Sequence, residues 1–165
     1  MSLLRELHPQ ALRIATLLRE RSERIVVADG ATGGLVAAAL LTVPGALDFY
    51  RGGGIVYSLR ARDILFGLPR DAYAGMVSAS EDYALLQARA IRDNFKGQWG
   101  LAESGSAGGS THPMGVASGR SCAAVAGPEG FERVRVTETA SDDRIANMEA
   151  FARAALDHLE QCLSA

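Results

Sequence analysis

The hydrophobic positions of the chain switch repeatedly between helical and strand-like spacing. From Leu3 to Leu18 apolar residues recur every three or four positions, which is typical of an amphipathic helix. Pro9 is expected to separate a first turn from the main helix, because proline cannot donate a backbone hydrogen bond. Residues 24–29 (RIVVAD) are instead almost continuously apolar, as in a strand that is buried on both faces.

The rest of the chain continues this alternation of elements. Helices are predicted at 35–41, 59–66, 70–78 and 80–95, with a final helix capped by Ser141 or Asp142. Further strands are predicted at 53–58, 99–104, 120–128 and 133–140, the last two forming a hairpin. This order predicts an α/β fold in a single domain over residues 1–165, built as a three-layer α/β/α sandwich with a mixed sheet.

The first predicted strand runs into a glycine-rich turn, ATGG, before the next helix. A turn of this kind presents free backbone N–H groups and the positive end of a helix dipole, which together favour an anion such as phosphate. The candidate ligand-binding residues of this turn are Gly30, Ala31, Thr32, Gly33 and Gly34, and Thr32 is expected to cap the helix. Neither a Walker A lysine nor a G-x-G-x-x-G pattern is present, so a tight structural turn is an equal alternative.

The amino-acid composition limits the kinds of partner that the protein is expected to bind. The net charge is −2 with no long basic run, so no nucleic-acid partner is expected. The longest apolar run is shorter than the roughly 20 residues that span a bilayer, and no signal peptide is visible, so no membrane association is expected either. The two cysteines lack metal-ligand spacing, which favours a reducing compartment and predicts a cytoplasmic location.

Other candidate site residues lie near predicted strand ends. Tyr57 lies at the end of the predicted strand 53–58 and Arg62 follows it, in the region where open α/β sheets bind ligands.

The loop 105–119 has little apolar periodicity, and long loops of this kind are usually functional or disordered. His112 lies in this loop without a second histidine nearby, so no metal site is predicted.

Several stretches, in this order, resemble the C-terminal domain of CinA, the nicotinamide mononucleotide amidohydrolase (PncC) family. ADGATGG at 28–34 is similar to the family turn A-E-S-C-T-G-G, and LAESGSAG at 101–108 is similar to A-x-S-G-I-A-G. FYRGGGIVYSLRARDILFGLP at 49–69 resembles F-x-G-G-x-x-x-Y-S-N-x-A-K-x-x-L-G-V, and GRSCAAVAGP at 119–128 resembles G-x-V-x-I-A-V-A-G-P.

The resemblance implies hydrolysis of nicotinamide mononucleotide to nicotinic acid mononucleotide and ammonia, with no metal or organic cofactor. It also implies a catalytic serine in the first turn, supported by the tyrosine and lysine of the Y-S-N-x-A-K stretch. Carried over by position, these residues are Gly30, Tyr57 and Arg62, so only the tyrosine is retained. Glycine offers no nucleophile, and arginine remains protonated near neutral pH, so it cannot replace lysine as a general base.

Two principal functional hypotheses follow. The first is a weakly active or inactive member that binds a pyridine nucleotide or similar phosphate ligand, with Arg62 available to an anion and Ser106 beside the ligand. The alternative is an active amidohydrolase with a relocated nucleophile, for which Ser104, Ser106 and Thr32 are candidates. Strand alternation places Glu103 and Ser104 on opposite faces, so Glu103 is a poor base for Ser104. A partner subunit that keeps only the fold is a third alternative, and a homo-oligomer is expected.

Overall fold

The computed structural model describes residues 2–165 and contains a mixed five-stranded sheet between two layers of helices. The helices are α1 Leu3–Glu20, α2 Leu35–Leu40, α3 Leu59–Phe66, α4 Glu81–Asn94 and α5 Arg144–Ser164. The strands are β1 Ile25–Asp29, β2 Tyr50–Ile55, β3 Trp99–Ser106, β4 Arg120–Ala126 and β5 Glu132–Glu138. Their order is β2-β1-β3-β4-β5; β2, β1 and β3 are parallel, whereas β4 and β5 continue the sheet antiparallel.

The two faces of the sheet form two separate hydrophobic cores. Alternate side chains such as Val27 and Leu101 pack against α1, α2 and α5 on one face. Their neighbours, such as Ala28 and Ala102, pack against α3 and α4 on the other face. This burial on both faces explains the continuous apolar runs of the central strands, and it confirms the predicted α/β/α sandwich. None of the helices in residues 2–165 is both long and apolar enough to cross a membrane.

Two sequence predictions about backbone continuity are wrong. Helix α1 continues through Pro9, because a proline removes only one intrahelical donor and the apolar face of the helix is held by packing against α5. Strand β2 begins at Tyr50 and ends at Ile55 rather than covering 53–58. Its glycines are part of the strand because Gly53 lies so close to the Val27 backbone that a Cβ would overlap the Val27 carbonyl.

The predicted helix boundaries also need correction. The segment 70–78 forms only a short 3-10 turn, Arg70–Tyr73, followed by irregular backbone. Helix α5 is capped by Asp143, whose side chain accepts from Ala146 N at 3.1 Å, rather than by Ser141 or Asp142. Helix α2 begins after Gly34, which has a left-handed backbone with φ 99°, and Thr32 does not cap it.

Candidate functional site

The candidate site lies where the carboxyl ends of the parallel strands meet the start of α5. The turn at 30–34 follows β1, and the segment 105–109 begins with the last two residues of β3, the neighbouring parallel strand. A Cβ on Gly105 would lie 3.1 Å from the Cβ of Ala31, and one on Gly33 would lie 2.8 Å from Met148 Cε of α5. The structure therefore brings together the two glycine turns that the sequence analysis identified, with α5 beside them.

Gly30 is the position that the family resemblance assigns to a catalytic serine, and the structure leaves no space for a side chain there. A Cβ built on Gly30 would overlap the backbone carbonyl oxygen of Glu103 on the adjacent strand β3. Such a contact with main-chain atoms can be relieved only if one of the two strands shifts. The turn therefore offers neither a side-chain nucleophile nor room for one at Gly30.

The Glu103 carboxylate occupies the backbone donors of the first turn. Its Oε1 accepts from Gly30 N at 3.1 Å and from Thr32 N at 2.9 Å. Its Oε2 accepts from Ser121 Oγ at 2.6 Å. The side chain is buried, and burial raises the pKa of this carboxyl, although the bonds from Ser121 and Thr32 oppose the rise. The turn thus already places a carboxyl group of the protein at the N–H groups predicted to bind phosphate.

A second buried carboxylate, Asp29, occupies the N-terminal donors of α2. Its Oδ1 accepts from Val36 N at 3.1 Å, and its Oδ2 accepts from Ala37 N at 3.2 Å. The Thr32 hydroxyl donates to the same carboxylate instead of capping the helix as predicted. Burial raises the pKa of Asp29, and these hydrogen bonds oppose the rise. The internal carboxylate therefore does the capping, which a local sequence pattern did not reveal.

Tyr57 is presented to solvent at the edge of the site. Its side chain is 82% exposed, because β2 ends two residues earlier and Tyr57 lies in the connection to α3. Arg144 Nη2 donates to Tyr57 Oη at 3.4 Å, and Arg144 Nη1 donates to Gly108 O at 2.8 Å. Sequence reasoning missed Arg144, although a cation in the first turn of a helix opposes the helix dipole and was a usable signal.

Arg62 faces the opposite helical layer. Its guanidinium stacks over the Tyr73 ring with 3.7 Å between the Arg62 Cζ and the ring centroid, and the residue is only 7% exposed. Within residues 2–165 its side chain forms no hydrogen bond and no ion pair, and so none to Tyr57 or to the first turn. The Arg62 side chain is therefore buried against the 3-10 turn Arg70–Tyr73.

The alternative nucleophiles are engaged in structural contacts. Ser104 Oγ accepts from Ala79 N at 2.9 Å, and Ser106 Oγ donates to Val116 O at 3.3 Å. Glu103 and Ser104 point to opposite faces of β3, as strand alternation predicts, so Glu103 is not a base for Ser104. In the part of the chain that the structure describes, neither serine donates to a histidine, lysine or carboxylate.

His112 anchors the loop 105–119 to the segment before α4. Its Nδ1 accepts from Met114 N at 3.0 Å, and its Nε2 lies 3.3 Å from Ser78 Oγ. With Nδ1 accepting, the neutral ring carries its proton on Nε2, so His112 donates to Ser78 and cannot take its proton. Over residues 2–165 no three histidine, cysteine or acidic side chains are grouped as metal ligands.

The sequence is similar to those of known proteins. Residues 8–163 match the CinA C-terminal domain family. A CinA-like protein of Prochlorococcus marinus is 35% identical over 91% of this chain, and one of Synechococcus is 34% identical over 72%. The chain spans only 35% and 28% of the lengths of those two relatives.

Solved structures show the same fold. A CinA superfamily protein from Enterobacter cloacae superimposes with a TM-score of 0.86 at 26% identity, covering 95% of this chain and 92% of that one. A competence or damage-inducible protein from Enterobacter asburiae gives 0.86 at 25% identity, covering 95% and 98%. The family match, the curated relatives and the shared fold together show that this chain belongs to the CinA C-terminal domain family.

Proposed function

We propose that this chain is a ligand-binding member of its family that does not hydrolyse nicotinamide mononucleotide through a covalent intermediate. The observation that carries the proposal is the Gly30 position, where the nucleophile is absent and the Glu103 carbonyl fills the space for a side chain. Covalent acyl transfer needs an oxygen or sulfur nucleophile with a base to accept its proton. Gly30 supplies neither a nucleophile nor a base.

The nearby hydroxyl groups do not replace the missing serine. Among residues 2–165 the Ser104 hydroxyl has only a backbone N–H, that of Ala79, as its hydrogen-bond partner, so none of these residues removes its proton. Thr32 does donate to a carboxylate, that of Asp29, but its side chain is fully buried and a substrate cannot reach it. This arrangement favours binding over catalysis and disfavours the relocated-nucleophile hypothesis.

Tyr57 and Arg144 are the groups available to a nucleotide. An exposed tyrosine ring offers a flat surface on which a pyridine ring can stack. An arginine with a planar set of donors suits a phosphate or a carboxamide oxygen. The two side chains are 3.4 Å apart at their polar ends, so one ligand could contact both. We therefore propose a pyridine nucleotide or a related phosphate compound as the ligand.

The test combines an activity assay with a binding assay. We expect no ammonia release from nicotinamide mononucleotide under conditions where an active amidohydrolase of the family turns over. Calorimetry should detect binding of the same compound, and Tyr57→Ala or Arg144→Ala should weaken it about tenfold, the equivalent of about 1.4 kcal/mol. Arg153→Ala, which removes an exposed arginine from the same helix as Arg144, is the matched control and should bind normally.

Two results would contradict the proposal. Absence of nicotinamide mononucleotide binding would remove the assigned ligand. Ammonia release that disappears in Ser104→Ala while binding persists would establish the relocated-nucleophile alternative instead.

A further inference from the structure

The second glycine turn, residues 107–109, is bound to the start of α5 through two consecutive carbonyl groups. Asn147 Nδ2 donates to Ala107 O at 2.8 Å. Arg144 Nη1 donates to Gly108 O, also at 2.8 Å. Because Asn147 follows Arg144 by three residues, the two side chains lie on the same side of α5, about one helical turn apart. Two side chains of one helix therefore hold the turn, and one of them is the arginine of the proposed ligand site.

The Asn147 amide is buried, and both of its polar atoms are bonded. The residue is only 1% exposed. Besides its bond to the turn, Asn147 Nδ2 donates to Ser141 O at 2.9 Å, and Asn147 Oδ1 accepts from Thr139 Oγ1 at 2.6 Å. Carbonyl oxygens bond only to the nitrogen end of an amide, so these partners fix its orientation. One side chain thus ties the turn after β3 to the connection between β5 and α5.

The position of Arg144 depends on the turn that Asn147 holds. Arg144 is exposed, and a long exposed side chain stays in one geometry only where contacts offset the loss of rotamer freedom. Its contact with Tyr57 Oη is long, at 3.4 Å, whereas its bond to Gly108 O is 2.8 Å. The shorter bond therefore directs the guanidinium toward Tyr57, and the carbonyl that makes it belongs to the turn.

We propose that Asn147 is a positioning residue of the ligand site. It sets the place of Gly108 O, and through that oxygen it sets where the Arg144 guanidinium lies beside Tyr57. A guanidinium recognises a phosphate or carboxamide oxygen through directed hydrogen bonds, so its affinity depends on where its donors lie. Asn147 therefore acts on the ligand without touching it. The inference deepens the proposed function and rests on it for the identity of the ligand.

The test is a double-variant cycle measured by calorimetry with nicotinamide mononucleotide. In Asn147→Asp the ionised carboxylate keeps the shape of the amide but has no hydrogen to donate to the two carbonyl groups. Asn94→Asp is the matched control, because Asn94 Nδ2 donates to Leu65 O at 2.9 Å in the other helical layer. We expect Asn147→Asp to weaken binding about fivefold and Asn94→Asp to leave it unchanged. In the Arg144→Ala background, Asn147→Asp should weaken binding no further.

Two binding results would overturn the inference. The first is binding that Asn147→Asp leaves unchanged. The second is equal weakening by Asn147→Asp in the wild-type and Arg144→Ala backgrounds, because Asn147 would then act on binding without Arg144. If Asn147→Asp does not fold, Thr139→Val takes its place in every measurement, because it removes the hydroxyl that orients the Asn147 amide.

A measurement without ligand separates this inference from the proposed function. Absence of nicotinamide mononucleotide binding by the wild-type protein would contradict the proposed function, and NMR of the Arg144 guanidinium then tests the positioning role. Faster rotation of the guanidinium in Asn147→Asp, but not in Asn94→Asp, would support that role. Rotation that is the same in wild type and Asn147→Asp would overturn it.

Discussion

The backbone N–H of Gly30 donates to the carboxylate of Glu103 at 3.1 Å, and the Glu103 carbonyl fills the space where a Gly30 side chain would stand. Glu103 of β3 therefore accepts the hydrogen bond from the turn after β1 and also fills the space for a side chain at Gly30. A glycine at this position therefore has a structural role as well as lacking a nucleophile, because the neighbouring strand lies against the space that a side chain would take.

Gly30→Ser is expected to destabilise the protein without restoring amidase activity. The Cβ must displace the Glu103 backbone, and overpacking of this kind costs about 1–3 kcal/mol. Gly30→Ala is the matched control, and it should cost about as much because the clash comes from the Cβ and not from the hydroxyl. Urea unfolding and ammonia release from nicotinamide mononucleotide should be measured for both variants and for Gly30→Ser combined with Arg62→Lys. Wild-type stability in Gly30→Ser, or amidase activity in the double variant, would show that the strands can separate.

Glu103→Leu should destabilise the protein much more than Glu103→Gln. Leucine leaves Gly30 N and Thr32 N buried without an acceptor, and each unpaired buried group costs about 1–3 kcal/mol. Glutamine keeps an amide oxygen for both N–H groups. Chemical denaturation of the two variants at pH 7 provides the comparison. Equal losses of stability would mean that the carboxyl side chain does not organise the turn.

The Glu103 carboxyl also predicts a pH dependence. Burial raises its pKa above the ordinary 4.5 in the folded state, so the folded protein binds this proton more tightly than the unfolded chain. Its contribution to stability is therefore greatest at low pH and declines as pH rises from about 4.5 through the folded-state pKa. The stability of wild type relative to Glu103→Gln should fall across a urea-unfolding series from pH 4 to pH 8. The control Glu20→Gln replaces an exposed side chain, and its stability difference from wild type should show no such fall. A stability difference between wild type and Glu103→Gln that stays constant from pH 4 to pH 8 would contradict the prediction.

Asp29→Ala should destabilise α2 and the turn before it. The variant removes the acceptor of Val36 N, Ala37 N and the Thr32 hydroxyl, and we expect a loss of about 2–4 kcal/mol from these unpaired groups. Asp71→Ala removes an exposed carboxylate and should change stability by less than about 0.5 kcal/mol. Thermal unfolding of both variants checks the prediction. Similar melting temperatures for the two would show that solvent replaces Asp29 at these donors.

Acidification should release the loop around His112. Burial lowers the pKa of His112 below 6.5, so the unfolded or open chain binds a proton more readily than the closed loop does. The contribution of His112 to the stability of the closed loop is therefore complete above pH 6.5 and declines as pH falls below that value. The reason is that a protonated Nδ1 can no longer accept the hydrogen bond from Met114 N. Limited proteolysis at pH 7.5 and pH 5.5 should show faster cleavage near Gly115 at the lower pH. His112→Gln should remove most of that difference, whereas His8→Gln should retain it.

The local sequence pattern predicted the elements that depend on neighbouring residues. The range 59–66 of α3 was predicted correctly because Ser58 and Gly67 mark its ends, and Ser58 Oγ accepts from Ala61 N at 3.1 Å. Strand β2 was predicted at 53–58, whereas it pairs with β1 from Tyr50 to Ile55, and the approach of Gly53 to Val27 exists only once the two strands pair. Local signals cannot report that approach.

The sequence by itself determined the order of helices and strands, the family resemblance and the absence of a nucleophile at Gly30. Those conclusions depend on residue identity and spacing, which are fully present in the chain. The tertiary structure alone decided that Glu103, 73 residues away, occupies the donors beside Gly30, and that Arg62 is buried against Tyr73. Both contacts arise from the packing of separate elements, and because hydrogen bonds and stacking act over only a few ångströms, no sequence spacing encodes them.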